Sequence, residues 1–193
     1  FFTTLENPLD KTESSFTQED ESKSHPPQLV TYLDDASVIN MAFKEVDILA
    51  EQIKSTKSKI CIIPCNEMLL SETRRLVAET NKPCEIILKR GDSASQKKAE
   101  RGGKYLVAGI DYVGGLEFDG VVIVGCDKGN FPTSDDRTAN TRHFIKHASY
   151  NRLYVAITRA KYGITVIGSA SRGVSEILTP AIDNKSIALI EKQ

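Results

Sequence analysis

The stretch that decides the fold is Gly109-Ile110-Asp111-Tyr112-Val113-Gly114-Gly115-Leu116-Glu117-Phe118-Asp119, followed by Val121-Val122-Ile123-Val124. A short apolar run bounded by polar residues suits a strand buried on both faces, as in a parallel sheet. Tyr105 to Ile110 reads as a preceding strand that delivers the glycine turn. Outward from there the same signature recurs at Ile60-Cys61-Ile62-Ile63-Pro64, at Cys84 to Leu88 and at Ile164 to Gly168. Gln28 to Leu33 reads as a first strand, and Ile187 to Ile190 as a last strand or edge.

Helical patterns lie between the strands. Ile39, Ala42, Phe43, Val46, Leu49, Ala50 and Ile53 recur at three- and four-residue spacing, one buried face of an amphipathic helix behind an Asp34-Asp35 cap. Asn66 caps a second helix with an inner stripe of Leu69, Leu70, Thr73, Leu76 and Val77, while Arg74 and Arg75 point outward. Lys89 to Lys104 reads as an exposed basic loop with some helical content, solvated or, alternatively, contacting phosphates. Phe131 to His147 reads as a polar surface excursion, Ser149 or Asn151 as the start of a helix, and Gly173 to Leu178 as the start of a closing one. Strands alternating with helices predict an α/β fold, a parallel sheet covered on both faces. Residues 1–28 read as an irregular polar lead-in and 29–193 as one domain.

The chain has 193 residues, 40% hydrophobic and 26% charged, with a formal net charge of −1. That excludes a global basic footprint, so any nucleic-acid contact must come from a local face. No apolar run approaches a membrane span and no signal peptide opens the chain, so a cytoplasmic location without membrane contact is expected. Cys61, Cys65, Cys84 and Cys126 sit in or beside apolar runs, without a Cys-x-x-Cys pair, and read as reduced core thiols rather than metal ligands. The chain does not begin with methionine, which fits a piece of a longer protein.

A second block, Asn151-Arg152-Leu153-Tyr154-Val155-Ala156-Ile157-Thr158-Arg159-Ala160-Lys161, carries two arginines seven residues apart. On a continuous helix they share a face, with Leu153, Ile157 and Ala160 turned to the core. Two guanidinium forks on one face suit a polyphosphate. In the first block, Glu117 follows a strand and is expected at the strand's carboxyl end, where open α/β sheets bind ligands. Gly114 and Gly115 permit a tight turn and close approach of a ligand. A carboxylate there can accept from ribose hydroxyls. By itself Glu117 reads equally as a surface turn residue between core-filling Leu116 and Phe118.

Taken in order, with Asp127-Lys128-Gly129-Asn130-Phe131-Pro132 between them, the two blocks resemble motifs V and VI of the UvrD/Rep-like superfamily-one DNA helicases. The resemblance implies a RecA-like domain of the P-loop NTPase-type three-layer sandwich, the second of the two in a helicase motor. It implies that Glu117, beside Gly115, contacts the sugar of ATP. It makes Arg159 the arginine finger, and Arg152 the preceding arginine that braces the helix at the nucleotide. It implies ATP with magnesium, an N-terminal RecA-like ATPase domain of the same protein, and single-stranded DNA, or RNA, as partners.

The chain lacks a Gly-x-x-x-x-Gly-Lys-Ser/Thr phosphate loop and an Asp-Glu box, so metal ligands are expected from that other domain and none from this chain. It departs from the family where a threonine, a histidine and a lysine are usual: Gly109, Asp111 and Gly114 stand there. Those departures keep an alternative open, a degenerate domain that binds protein or nucleic acid without catalysis. An unrelated doubly wound domain binding a small nucleotide is the third reading.

Overall fold

Successive residues of a strand face opposite sides of its sheet, and the apolar run in the first block divides accordingly. Val121 and Ile123 join one buried cluster, with Cys61, Ile63, Leu106 and Val166. Val122 and Val124 join another, with Ile60, Ile62, Val107 and Ile167. The computed structural model describes residues 23–33, 38–133 and 139–192, for 139–143 the backbone alone.

Among the described residues the strands are β1 (Gln28–Tyr32), β2 (Ile60–Pro64), β3 (Cys84–Ile87), β4 (Tyr105–Ala108), β5 (Phe118–Val124), β6 (Ala160–Ser169) and β7 (Ala188–Lys192). They form one sheet in the order β3-β4-β2-β5-β6-β1-β7, and every pairing is parallel. Helices α1 (Val38–Gln52) and α2 (Glu67–Thr80) cover one face. Helices α3 (Ser93–Gly102), α4 (Ala139–Ile157) and α5 (Thr179–Asp183) cover the other through Ala99, Leu153, Ala156, Ile157 and Ala181. The result is a three-layer α/β sandwich of the RecA-like type. No helix among the described residues is long and apolar enough to cross a membrane.

Helix α1 approaches the sheet closely because two glycines make room for it. Gly120 on β5 pairs in register with Gly163 on β6. A Cβ at Gly163 would lie 2.8 Å from Leu49 Cδ1, and one at Gly120 would lie 3.0 Å from Leu49 Cδ2. Helix α2 starts as expected, with the Asn66 side chain accepting from Leu69 N at 2.9 Å. Cys61, Cys65 and Cys126 are buried and Cys84 is half-buried, with the Cys65 and Cys126 sulfurs 3.3 Å apart.

Two expected elements are corrected and one is sharpened. The basic segment 89–104, expected as an exposed loop with some helical content, is exposed and is helical over Ser93–Gly102. Asp92 caps α3 by accepting from Ser95 N at 3.1 Å and Ser95 Oγ at 2.8 Å, and Gly103 ends it at φ +59°. Only Ala99 is buried on it, so capping defines this helix where hydrophobic periodicity does not. Helix α4 starts at Ala139, ten residues before the expected Ser149; its exposed early residues, Phe144, Lys146 and His147 among them, leave no apolar stripe to read. Residues 173–178 are not helical. The chain there bridges Val174 to Asp127 and buries Ser175 against the Phe131 carbonyl, and α5 follows at Thr179. The expected cap at Asp34 and Asp35, and residues 1–22 of the lead-in, lie outside the described residues.

One buried carboxylate holds the β1–β7 edge. Glu45 on α1 is 1% exposed; the Tyr32 hydroxyl and the Lys192 ammonium both donate to its Oε1. Burial, and then the bond to Glu45, push the Tyr32 hydroxyl far above its ordinary pKa. Removing one member of a buried polar set leaves the others desolvated and unpaired. Glu45→Ala should therefore destabilise the chain by about 2–3 kcal/mol, read as a shifted urea midpoint. A shift worth under about 0.5 kcal/mol would show the cluster to be energetically idle.

Candidate functional site

Strands β4 and β5 both run parallel to β2. Residues 109–117 must therefore travel from the carboxyl end of β4 back to the amino end of β5. Ile110, Val113 and Leu116 are buried and pin this crossing to the core. Turn bonds from Tyr112 N to Gly109 O, 2.9 Å, and from Leu116 N to Val113 O, 3.1 Å, shape it. Gly109 is tightly enclosed: a Cβ there would meet Leu70 Cδ2 and Tyr112 Cδ2 at 3.0 Å each. Gly115 takes φ +83°, and a Cβ there would meet nothing within 4 Å, so its backbone is open to a ligand.

Glu117 consequently lies at the amino edge of the sheet, immediately before Phe118, and not at a carboxyl end. The sequence shows that Glu117 follows a strand; it does not show that the connection crosses the whole sheet. Its carboxylate is exposed and pairs with Lys161 Nζ at 3.1 Å. Its carbonyl accepts from Gln96 Nε2 of α3 at 2.8 Å. Glu117 accepts a hydrogen bond from Lys161, and this holds the ammonium above its ordinary pKa.

Helix α4 ends at Ile157, so Arg159 does not lie on it. Thr158 and Arg159 form the turn into β6. The expected shared helical face of Arg152 and Arg159 is therefore replaced by another arrangement, in which both reach the crossing. Arg152 donates from Nε to Asp111 Oδ1 at 2.7 Å and from Nη2 to Oδ2, a two-point pair near the start of the crossing. Arg159 works near its end. Its Nη1 donates to Leu116 O at 3.3 Å, its Nε to Val155 O at 3.2 Å and its Nη2 to Thr158 Oγ1 at 3.1 Å. Its own carbonyl accepts from Phe118 N at 2.8 Å. A cation folded over the last carbonyls of a helix is favoured there by the helix dipole.

The two arginines thus differ in what they can offer an anion. The Arg152 fork is already engaged by a carboxylate. Arg159 donates only to neutral oxygens, so its charge has no carboxylate partner among the described residues. The crossing and its neighbours thus present an exposed carboxylate at Glu117, an open backbone position at Gly115 and, at Arg159, a cation with no carboxylate partner among the described residues. No metal-holding cluster of histidine, cysteine or acidic residues occurs among the described residues. Sequence reasoning placed Glu117, Gly115, Arg152 and Arg159 in one neighbourhood, and the structure does bring their segments together. It missed the partners Lys161, Gln96 and Asp111, which depend on strand register and helix docking.

Residues 87–171 match the family model of the UvrD-like helicase C-terminal domain. That span takes in α3, the crossing and α4. No curated protein matches the chain. The C-terminal domain of a possible DNA helicase from Lactobacillus plantarum WCFS1 aligns with a TM-score of 0.62 at 14% identity, covering 91% of this chain and 99% of that one; the likeness is one of fold. Domain 2 of the DEAD-box helicase Mss116p, solved bound to an RNA duplex, aligns at TM-score 0.43 and 15% identity over 88% of this chain and 64% of its own. S. tokodaii Xpd4 aligns at 0.41 and 11% over 88% and 39%.

Because Glu117 raises the Lys161 pKa, the pair's contribution is present below the ordinary lysine value and is lost as pH rises through the raised one. Glu117→Gln should bring the Lys161 midpoint down toward that ordinary value. An NMR titration of the lysine Cε signals checks this, and an unmoved midpoint would dissolve the pair.

Proposed function

We propose that this chain, whose residues 87–171 match the family model of the UvrD-like helicase C-terminal domain, is the second motor lobe of an ATP-dependent superfamily-one DNA helicase or translocase. In this reading residues 29–193 are its C-terminal RecA-like domain. The lobe contributes half of an ATP site, and an N-terminal RecA-like domain of the same protein contributes the other half. That domain would supply the groups that grip the β- and γ-phosphates and the magnesium ion. Closure of the two lobes around ATP, and opening after hydrolysis, would move the protein along single-stranded nucleic acid.

The observation that carries the proposal is the bond from Phe118 N to Arg159 O. It holds Glu117, with its exposed carboxylate, and Arg159, a cation with no carboxylate partner among the described residues, at one edge of the sheet. Glu117 would accept from ribose hydroxyls, exchanging its Lys161 partner for them. Arg159 would leave Leu116 O and Thr158 Oγ1 and extend toward the phosphate being transferred. A guanidinium that gains hydrogen bonds as charge develops on phosphate oxygens stabilises the transition state more than the ground state. Arg152, held to Asp111, would keep the crossing in register with α4 beside the nucleotide.

A second reading, a non-catalytic module that binds protein or nucleic acid, draws on the same ion pair. Asp111 neutralises an arginine that would otherwise be available to phosphates. Steady-state ATPase kinetics of the two-lobed protein separate the readings. Arg159→Ala should cut turnover by about 10³-fold or more while ATP still binds. Arg159→Lys should rescue little, since an ammonium lacks the planar fork. Glu117→Ala should raise the ATP requirement with a smaller effect on maximal rate. Near-parental turnover in Arg159→Ala would leave the binding module in front. This chain alone should hydrolyse no ATP, and measurable turnover by the pure chain would overturn the half-site.

A further inference from the structure

The formal net charge of the chain is −1, yet residues 89–104 hold six cations against Asp92 and Glu100. The structure sorts those cations. Glu85 on the edge strand β3 takes Lys98 at 3.0 Å and Lys104 at 2.6 Å, and the two ammonium groups hold its carboxyl below the usual range. Asp92 is occupied in capping α3. Lys89, Arg90, Lys97 and Arg101 remain exposed, with no carboxylate partner among the described residues. Lys97 and Arg101 are four residues apart on α3, so they lie on one face, about 6 Å apart along the axis.

Arg90 is placed by an unusual contact. Its Nε lies 2.6 Å, its Nη2 3.0 Å and its Cζ 3.1 Å from where a Cβ on Gly114 would stand. The guanidinium fills the space that a side chain at position 114 would take. Gly91, at φ +71°, and the Asp92 cap fix the turn that presents it. A cation therefore reaches the glycine turn of the crossing from the β3–α3 connection, because the turn itself carries none.

We infer that Arg90, Lys97 and Arg101 form a contact surface for the phosphodiester backbone of a single-stranded nucleic acid. The inference rests on the function proposed above and names residues for the nucleic-acid side of it. Three exposed cations with no carboxylate partner among the described residues, two of them planar forks and all within one connection and the helix it opens, suit the phosphates of one strand. The other exposed positions on α3 are Ser93, Ala94, Lys98, Glu100 and Gly102, so the helix offers no aromatic or large apolar anchor of the kind that protein interfaces rely on. Backbone contacts of this sort position the strand without reading its sequence.

The test is fluorescence anisotropy of this chain titrated into a labelled oligothymidylate at several salt concentrations, without nucleotide. Three phosphate contacts predict a slope of log affinity against log salt near −2, from roughly −0.7 for each contact on a single strand. Arg90→Ala should weaken binding several-fold and flatten the slope by about 0.7. Gly114 lacks a positive φ and has room once Arg90 is truncated, so Arg90→Ala with Gly114→Lys should restore both affinity and slope. Lys44→Ala, on the exposed side of α1, should change neither. Unchanged affinity and slope in Arg90→Ala, or displacement of the oligonucleotide by polyglutamate at equal charge, would overturn the assignment, the latter in favour of an acidic protein segment. The Arg159 kinetics stand separately. If they fail while this surface binds, the chain is the nucleic-acid-binding module rather than a motor lobe.

Discussion

Parallel pairing of β4 and β5 to one neighbour, β2, is the constraint on which the candidate site depends. It forbids a tight hairpin and compels residues 109–117 to cross the sheet from edge to edge. Helix α4 returns in the same direction, from the carboxyl end of β5 to the amino end of β6. Crossing and helix therefore lie side by side. Arg152 and Asp111 join them near one end, and Arg159 joins them to Leu116 and Phe118 near the other. Buried Val113 and Leu116 beneath supply the apolar floor.

The departures from the helicase pattern look different once the neighbours are seen. Gly109 is enclosed by Leu70 and Tyr112, so a side chain there would have to push both aside. Asp111 pairs with Arg152. Gly114 leaves the space that Arg90 fills. Each of the three positions is taken up by a contact within the domain, and at one of them the contact is a cation from the β3–α3 connection.

The parts of this arrangement legible in the sequence are those with a strong local signal. The central strands announce themselves as short apolar runs, α1 by its stripe from Ala42 to Ile53, and α2 by Asn66. The acidic and basic groups of the two blocks could be nominated by residue type and order. What could not be read either lacks an apolar stripe or depends on distant partners. Helix α3 buries only Ala99 and is defined by its caps. The polar first half of α4 carries no stripe. Arg159 leaves the helix because the chain enters β6 at Ala160, and the edge on which Glu117 falls follows from a strand order that no local window contains.

The glycine pair at Gly120 and Gly163 has a consequence for how this fold can vary. It brings α1 so near the sheet that backbone, rather than adaptable side chains, meets Leu49 and Ile53. A side chain at either glycine would have to displace Leu49 and Ile53. The opposite side is assembled from a crossing, a capped helix and exposed ion pairs over its own buried cluster. Added side-chain volume is therefore tolerated less at that glycine pair than at the exposed positions of the crossing and α3, where a Cβ at Gly115 or Gly103 would meet nothing within 4 Å.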